Sequence, residues 1–332
     1  MPATATVFRD IRIGLESTPG TAVACPIKIP AMEIVVETAG GEGEAFRPAG
    51  YKHVSFVIPG GDEMSNLTLG GKLCYNTLPY LLAGLGYAAP STLTSGAYKW
   101  TWVPNTSAAD TIKTFTIQEG PSGSGAQMPY GLFTGFTANF RRSAIEFSGS
   151  GIAGKVSDNQ VLTTVTKTIT PKPVIGSQIY VYLATTRTGL ASADPLTDLA
   201  GVEIHYTDKY APWWALNGSV STFADIVETA PDVGGRIMTL YNSTGYGYRT
   251  TMRAGDTRWM RIAAVGATIT GTYTYGMHFD FPLQFTNPGD REDDEGAYAL
   301  GFNFNCIHDD TVDGTNPGAI SVVVTNSTAT LT

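Results

Sequence analysis

Apolar and polar residues alternate with a period of two through most of this chain, the mark of strands that bury one face. The alternation predicts a strand at Ala31–Thr38, with Met32, Ile34 and Val36 on one face, and another at Tyr51–Pro59. Tyr98–Val103 and Thr111–Gln118 alternate likewise. Leu132–Arg142 and Ala144–Ile152 follow as a pair, with Phe136, Ala138 and Phe140 sharing a face, as do Ile145 and Phe147. Later strands are predicted at Ile179–Thr185, Gly201–Tyr206, Trp213–Val220, Arg236–Tyr241, Trp259–Val265, Gly276–Phe285, Ala297–Cys306 and Ala319–Thr325. One stretch within Leu67–Tyr87 departs from this period. Leu78, Leu81, Leu82 and Leu85 follow the i, i+3, i+4, i+7 spacing of a helical face. Asn76 or Thr77 can cap its start, Pro79 fits its first turn, and Gly86 can end it in the left-handed conformation. A helix of about nine residues is marginal alone, so its leucine face is expected to lie buried on the sheet.

The segments between strands carry their own signals. Ile11–Ala24 reads as a short strand followed by a turn, Pro19-Gly20 having the residues of a type II turn. Ala39–Gly50 is Gly-rich and polar, and reads as the tip of a hairpin joining Ala31–Thr38 to Tyr51–Pro59. Hairpin loops usually run about two to five residues, so a tip this long is expected to serve as an arm, with Gly40, Gly41, Glu42, Glu44, Phe46 and Arg47 as its contact residues. Asn287–Gly296 is a second long polar tip. Two such hairpins point to a tandem duplication, although no repeat is visible residue by residue. The Thr- and Pro-rich segment 156–176 reads as a linker or edge strand dividing a β-domain at 1–155 from a second β-rich half at 177–332.

Composition strengthens the all-β reading and constrains the partners. Apolar residues make up 42 % of the 332 positions and charged residues 15 %, with 38 glycines. That charge content is well below the roughly 25 % of ordinary globular chains, and interface cores are depleted in charge. A net charge of −8 argues against a groove that grips nucleic acid. No N-terminal signal peptide is recognised and no apolar run approaches a membrane span, so no membrane partner is expected. Cys25, Cys74 and Cys306 have neither metal nor redox spacing and read as thiols of a reducing cytoplasm. The Asn-X-Ser/Thr triplets at Asn66, Asn217, Asn242 and Asn326 are accordingly read as chance occurrences in a Thr-rich chain.

Candidate chemistry is sparse. Asp290, Glu292, Asp293, Asp294 and Glu295 form an acidic run without the ligand spacing of a calcium loop, and read as a solvated or lumen-facing loop. His308, Asp309, Asp310 and Asp313 read as a turn, and His53, His205 and His278 stand isolated on strand patterns. Gly149-Ser150-Gly151 and Gly123-Ser124-Gly125 are Gly/Ser turns that precede no helix, unlike a nucleophile elbow. Trp213 and Trp214 point to opposite faces of a strand, which places one in the core and the other at an interface or ligand platform. No enzyme activity, cofactor or metal is expected.

The run RIGLESTPGTAVA, with its Gly-X-Glu-X-Thr-Pro-Gly-Thr-Ala pattern at Gly14–Ala22, resembles the opening of the tail tube (major tail) proteins of long-tailed bacteriophages. The same order continues through the long-tipped hairpin, the helix LPYLLAGLG, the pair LFTGFTANF and AIEFSGSGI with GKV after it, then WMRIAAVGATI and ISVVVTN. The resemblance implies a β-sandwich or barrel flanked by a helix, closing into rings that stack into a tube in the virion. Such a protein is made in the host cytoplasm, and DNA and the tape measure protein pass through the lumen. Pairing of edge strands would close the ring, and an acidic lumen would repel the DNA backbone.

At 332 residues the chain has room for two tube domains. Two fused domains imply a ring of three chains. One domain with insertions or a decoration implies six, and the lack of an obvious counterpart to the Leu78–Gly86 helix favours six, Thr222–Thr229 being the nearest candidate. The alternatives are another virion protein on the same scaffold, a tail terminator or capsid decoration, or a carbohydrate-binding β-sandwich using Trp213 and Trp214.

Overall fold

The computed structural model describes residues 9–30, 32–106, 108–143, 145–216, 222–308 and 319–332. These residues form β1 (Asp10–Leu15), β2 (Ile27–Lys28), β3 (Met32–Ala39), β4 (Glu44–Phe46), β5 (Phe56–Ile58) and β6 (Met64–Lys72), then helix α1 (Leu78–Leu85). After α1 come β7 (Ser91–Thr94), β8 (Ala97–Trp102), β9 (Phe115–Gly120), β10 (Gly125–Arg141), β11 (Glu146–Ala153), β12 (Ser157–Gln160) and β13 (Lys167–Thr168). The later strands are β14 (Ile179–Ala184), β15 (Leu199–Thr207), β16 (Tyr210–Trp213), β17 (Asp225–Glu228) and β18 (Asp232–Leu240), followed by helix α2 (Ser243–Ala254). The chain closes with β19 (Arg258–Thr270), β20 (Tyr273–Phe285), β21 (Asp290–Asp294), β22 (Ala297–Cys306) and β23 (Ser321–Asn326). The protein is therefore predominantly β with short helices, as the alternation predicts. The ends of three predicted strands, at 31, 144 and 217–220, and Asp309, Asp310 and Asp313 lie outside the described residues.

Strand β10 organises the whole. Its first half lies in a small sheet ordered β13-β2-β1-β9-β10-β12. Its second half lies in a large one ordered β3-β6-β11-β10-β15-β18-β22-β20-β19-β14. The strand bends between the two sheets at Tyr130, which has a φ of 58°, and its register against β9 slips between Met128 and Gly131. In the large sheet, β21 lies beside β22, and β23, β8 and β7 branch from β20. No series of pairings among the described residues returns to its starting strand, so the sheet is open and not the closed barrel that the resemblance allowed.

The large sheet curls so that β10 and β20, four strands apart, share one core. Phe136 and Phe140 of β10 meet Phe279 of β20 at 6.2 and 5.6 Å between ring centroids, and Phe136 stacks on Tyr206 of β15 at 6.1 Å. Val202, Ile204, Ile237, Met260, Ile262, Phe302 and Phe304 are buried on the same side. Alternate residues such as Glu203, Arg236 and Asn303 are exposed on the other, the period-two alternation of a one-sided sheet. Helix α1 packs on β10 with every residue buried, the Leu78, Leu81, Leu82 and Leu85 face included. Its ends differ from the sequence reading. Thr77 is the cap residue but makes no side-chain cap bond, its hydroxyl donating to the Cys74 carbonyl, while Asn76 donates to the Thr170 carbonyl at 3.0 Å. Gly86 is extended rather than left-handed, with φ 168°. A Cβ there would stand 2.8 Å from Trp102 Nε1, so glycine is required for close approach and not for handedness.

The structure corrects the connectivity in three places. The partner of β3 is β6, paired from Met32–Gly71 to Ala39–Met64, and not Tyr51–Pro59. The whole of 40–63 is thus an insertion at the tip, within which β4 and β5 form a separate two-stranded ladder. Of the two readings of 156–176, the edge strand and not the linker is observed: the segment holds the edge strands β12 and β13, and β10 pairs with β15 and β8 with β23 across the two halves. Helix α2 carries no apolar spacing that signals it in the sequence, and Thr222–Thr229 contains strand β17 instead of a helix. Gly245, Gly247 and three threonines dilute the helical propensity of α2. Its boundaries are nonetheless marked, because Asn242 accepts the Gly245 N–H at 3.1 Å and Gly255 is left-handed with φ 68°.

Candidate functional site

Among the described residues, the surface that stands out is the insertion at 40–63. Gly40 and Gly41 both take positive φ, 72° and 70°, and turn the chain out of β3; the Gly41 N–H donates to Asp62 at 3.1 Å. Glu42, Glu44, Phe46 and Arg47 are exposed. Phe46 lies against Phe56 across the β4–β5 ladder at 4.9 Å. Tyr51, Val54, Val57 and Ile58 are exposed as well, Val57 by 56 %. Alternation alone read Tyr51–Pro59 as a strand with a buried face, and these apolar side chains were not recognised as surface. Only the tertiary pairing of β3 with β6 leaves them without a core to enter.

Glu16, the acid of the Gly-X-Glu-X-Thr-Pro-Gly pattern, holds the bend in β10. It is buried, and its carboxylate accepts from the hydroxyls of Thr114 and Thr116 and from the N–H of Tyr130, each at 2.8 Å, and from the N–H of Gly20 at 2.9 Å. Gly20 itself completes the predicted type II turn, with φ 79° and a hydrogen bond from the Thr21 N–H to the Thr18 carbonyl. Four donors and, among the described residues, no ion pair make this a structural acceptor site.

A second buried polar cluster ties α1 to the later strands. Lys209 is buried between the rings of Tyr206 and Tyr210. Its ammonium donates to the Leu85 carbonyl at the end of α1 and to Asp110, and stands 3.5 Å from Glu228. Glu228 in turn accepts the Asp110 N–H at 3.0 Å. Burial and these carboxylates push the Tyr206 and Tyr210 hydroxyls far above the ordinary tyrosine range.

The acidic run is mostly strand: Asp290–Asp294 is β21, paired among the described residues only with β22, and Glu295 lies in the turn that follows. Glu292 pairs with Arg236, Asp293 accepts the Gly296 N–H at 2.9 Å, and Asp290 and Glu295 are exposed. Like charges along an open edge resist pairing with another strand. Trp213 ends β16 and is 52 % exposed, and Trp214, which leans on Phe223, is exposed as well, so neither tryptophan enters the core as the sequence reading expects; Phe223 packs on Tyr130 instead. Of the isolated histidines, His205 lies 3.4 Å from Asp232 and His278 lies 3.9 Å from the Arg261–Asp280 pair, where burial lowers its pKa. Cys25 and Cys74 are buried, and burial pushes the Cys25 thiol up to about 12. Among the described residues, no group of three or more His, Cys, Asp or Glu is placed to hold a metal ion, and no helix is long and apolar enough to cross a membrane. The chain matches no protein-family model and none of the curated proteins.

Proposed function

We propose that this chain is a structural subunit of a phage tail tube, whose copies close into rings and stack around a channel for DNA and the tape measure protein. The observation that carries the reading is the insertion at 40–63, a projecting hairpin with exposed Phe56, Val57 and Ile58 in a chain otherwise poor in surface charge. A projecting apolar hairpin of this kind is stabilised by a neighbouring subunit, here the next ring. The open ends of the large sheet, and the Gly14–Ala22 pattern with its acceptor Glu16, add support. The site of action is then the virion.

Negative-stain microscopy of the purified protein tests the reading, with tubes containing a central channel as the expected result. Replacing 40–63 by a two-residue turn should leave a folded, soluble protein that no longer polymerises. Normal tubes from that variant would sink the role of the arm. A second reading is favoured by the half-exposed Trp213, which is placed to stack on a sugar ring. Monomers that bind glycans, with binding lost in Trp213→Ala, would favour that alternative, and discrete small oligomers that never stack would favour a terminator or decoration protein.

A further inference from the structure

Two stretches of this chain have the same topology at a constant spacing. Strand β18 begins and ends 168 residues after β6, Asp232 matching Met64 and Leu240 matching Lys72. Each is the second strand of a hairpin, β3–β6 with Ala39 opposite Met64 and β15–β18 with Thr207 opposite Asp232. Each hairpin is interrupted by the same length of chain, 24 residues at 40–63 and at 208–231, and each insertion carries its own two-stranded ladder, β4–β5 or β16–β17.

The ladders agree in detail. Continuing the β3–β6 register outward would set Phe46 opposite Val57, and continuing the β15–β18 register would set Trp213 opposite Ile226. The observed partners are Phe56 and Asp225, one residue earlier in both. An aromatic pair bridges each insertion, Phe46–Phe56 in one and Trp214–Phe223 in the other, and Trp214 lies 168 residues after Phe46. The same spacing carries α1 into α2. The strands that return to the sheet repeat as well, in the orders β3-β6-β11-β10 and β15-β18-β22-β20. Unrelated hairpins have no reason to share insertion length, register slip, helix position and strand order.

We infer that the chain is a tandem duplication of one arm-bearing unit, that the β16–β17 hairpin is the second arm, and that its partner is another copy of this chain. This rests on the tube reading above. A ring that six single units would form then closes with three chains. The β10–β15 ladder is the junction of two units within one chain, where the outer strand of the first meets the leading strand of the second. Trp213, Leu216 and Val227 are the exposed apolar side chains of the second arm, as Phe56, Val57 and Ile58 are of the first.

The test is ring mass and symmetry, measured by mass photometry and by averaged electron micrographs of the full chain. Three chains of 35.2 kDa per ring and threefold averages with six similar lobes are expected. Six chains per ring would overturn the inference while leaving the tube reading intact. A chain that remains monomeric at every concentration would overturn both. Trp213→Ser with Val227→Ser, and separately Val57→Ser with Ile58→Ser, should each abolish stacking at an unchanged melting temperature. If only the second pair does so, β16–β17 is not an arm and the inference fails.

Discussion

The Glu16 carboxylate accepts the backbone N–H of Tyr130 at 2.8 Å, joining the first strand to the bend at which β10 passes from one sheet to the other. Tyr130 holds a φ of 58°, which a non-glycine residue adopts at a cost. The four hydrogen bonds at Glu16 offset that cost. Replacing Glu16 with alanine would strand two buried hydroxyls and two N–H groups, each costing about 1–3 kcal/mol when left unpaired. The expected loss is about 3 kcal/mol or more in denaturant unfolding. Glu16→Gln, which keeps one acceptor oxygen, should lose less. An alanine variant as stable as the wild type would show that the bend holds itself.

Lys209 and Asp110 are both almost fully buried, so removing one charge leaves the other uncompensated. Lys209→Met is expected to cost about 3–5 kcal/mol. Adding Asp110→Asn should recover part of that loss, because the stranded charge is gone. Equal stability of the single and double variants would mean that Lys209 acts by packing alone.

In α1, Leu78→Ala removes a fully buried side chain and should cost about 2–5 kcal/mol. Gly86→Ala is expected to destabilise by about 1–3 kcal/mol through overpacking against the Trp102 indole, since its backbone is extended and any residue could adopt it. A neutral or stabilising Gly86→Ala would show that the indole moves aside freely.

Alkali should unfold this protein before it ionises the folded core. Burial raises Cys25 from 9.0 to about 12, and raises Tyr75 and Tyr248 from 10.0 to about 12. In each case the folded state keeps a proton that the unfolded chain gives up at lower pH. Stability is therefore whole below about pH 9 and falls as pH rises toward 12. Chemical denaturation between pH 8 and 11 reads the slope; a flat profile would contradict it. The Cys25 and Cys74 thiols should also stay unreactive toward a disulfide reagent at pH 8 until denaturant is added.

Much of this architecture is legible in the sequence because it is set locally. Alternation locates β11 and the Phe136–Arg141 end of β10, where inward residues are buried and their neighbours less so, whereas residues 279–283 of β20 are buried on both faces. The leucine spacing locates α1, and Pro19-Gly20 locates the turn whose geometry only glycine accepts cheaply. What alternation does not carry is the identity of a strand's neighbour. Phe56, Val57 and Ile58 look the same in sequence whether they enter a core or project from an arm. The pairing of β3 with β6 decides that, through contacts more than twenty residues apart. Helix α2 was hidden for a related reason, as its own residues favour helix weakly and Tyr248, packed on Phe285 and Phe302, holds it.

Glu16 shows the same division. The chain alone specifies an acid beside a Thr-Pro-Gly turn, but donors from residues 98 to 114 positions away give that acid its role. The two interrupted hairpins are the extreme case. The pairs β3–β6 and β15–β18 share insertion length, register slip and the position of the following helix but not side chains, because backbone hydrogen bonding fixes a ladder while many apolar residues can fill the core behind it. The amino-acid pattern by itself determined a β-rich chain with a leucine-faced helix and a long Gly-rich tip. Only the tertiary structure decided which strands pair, because hydrogen-bonded neighbours are chosen by long-range packing that no local period records.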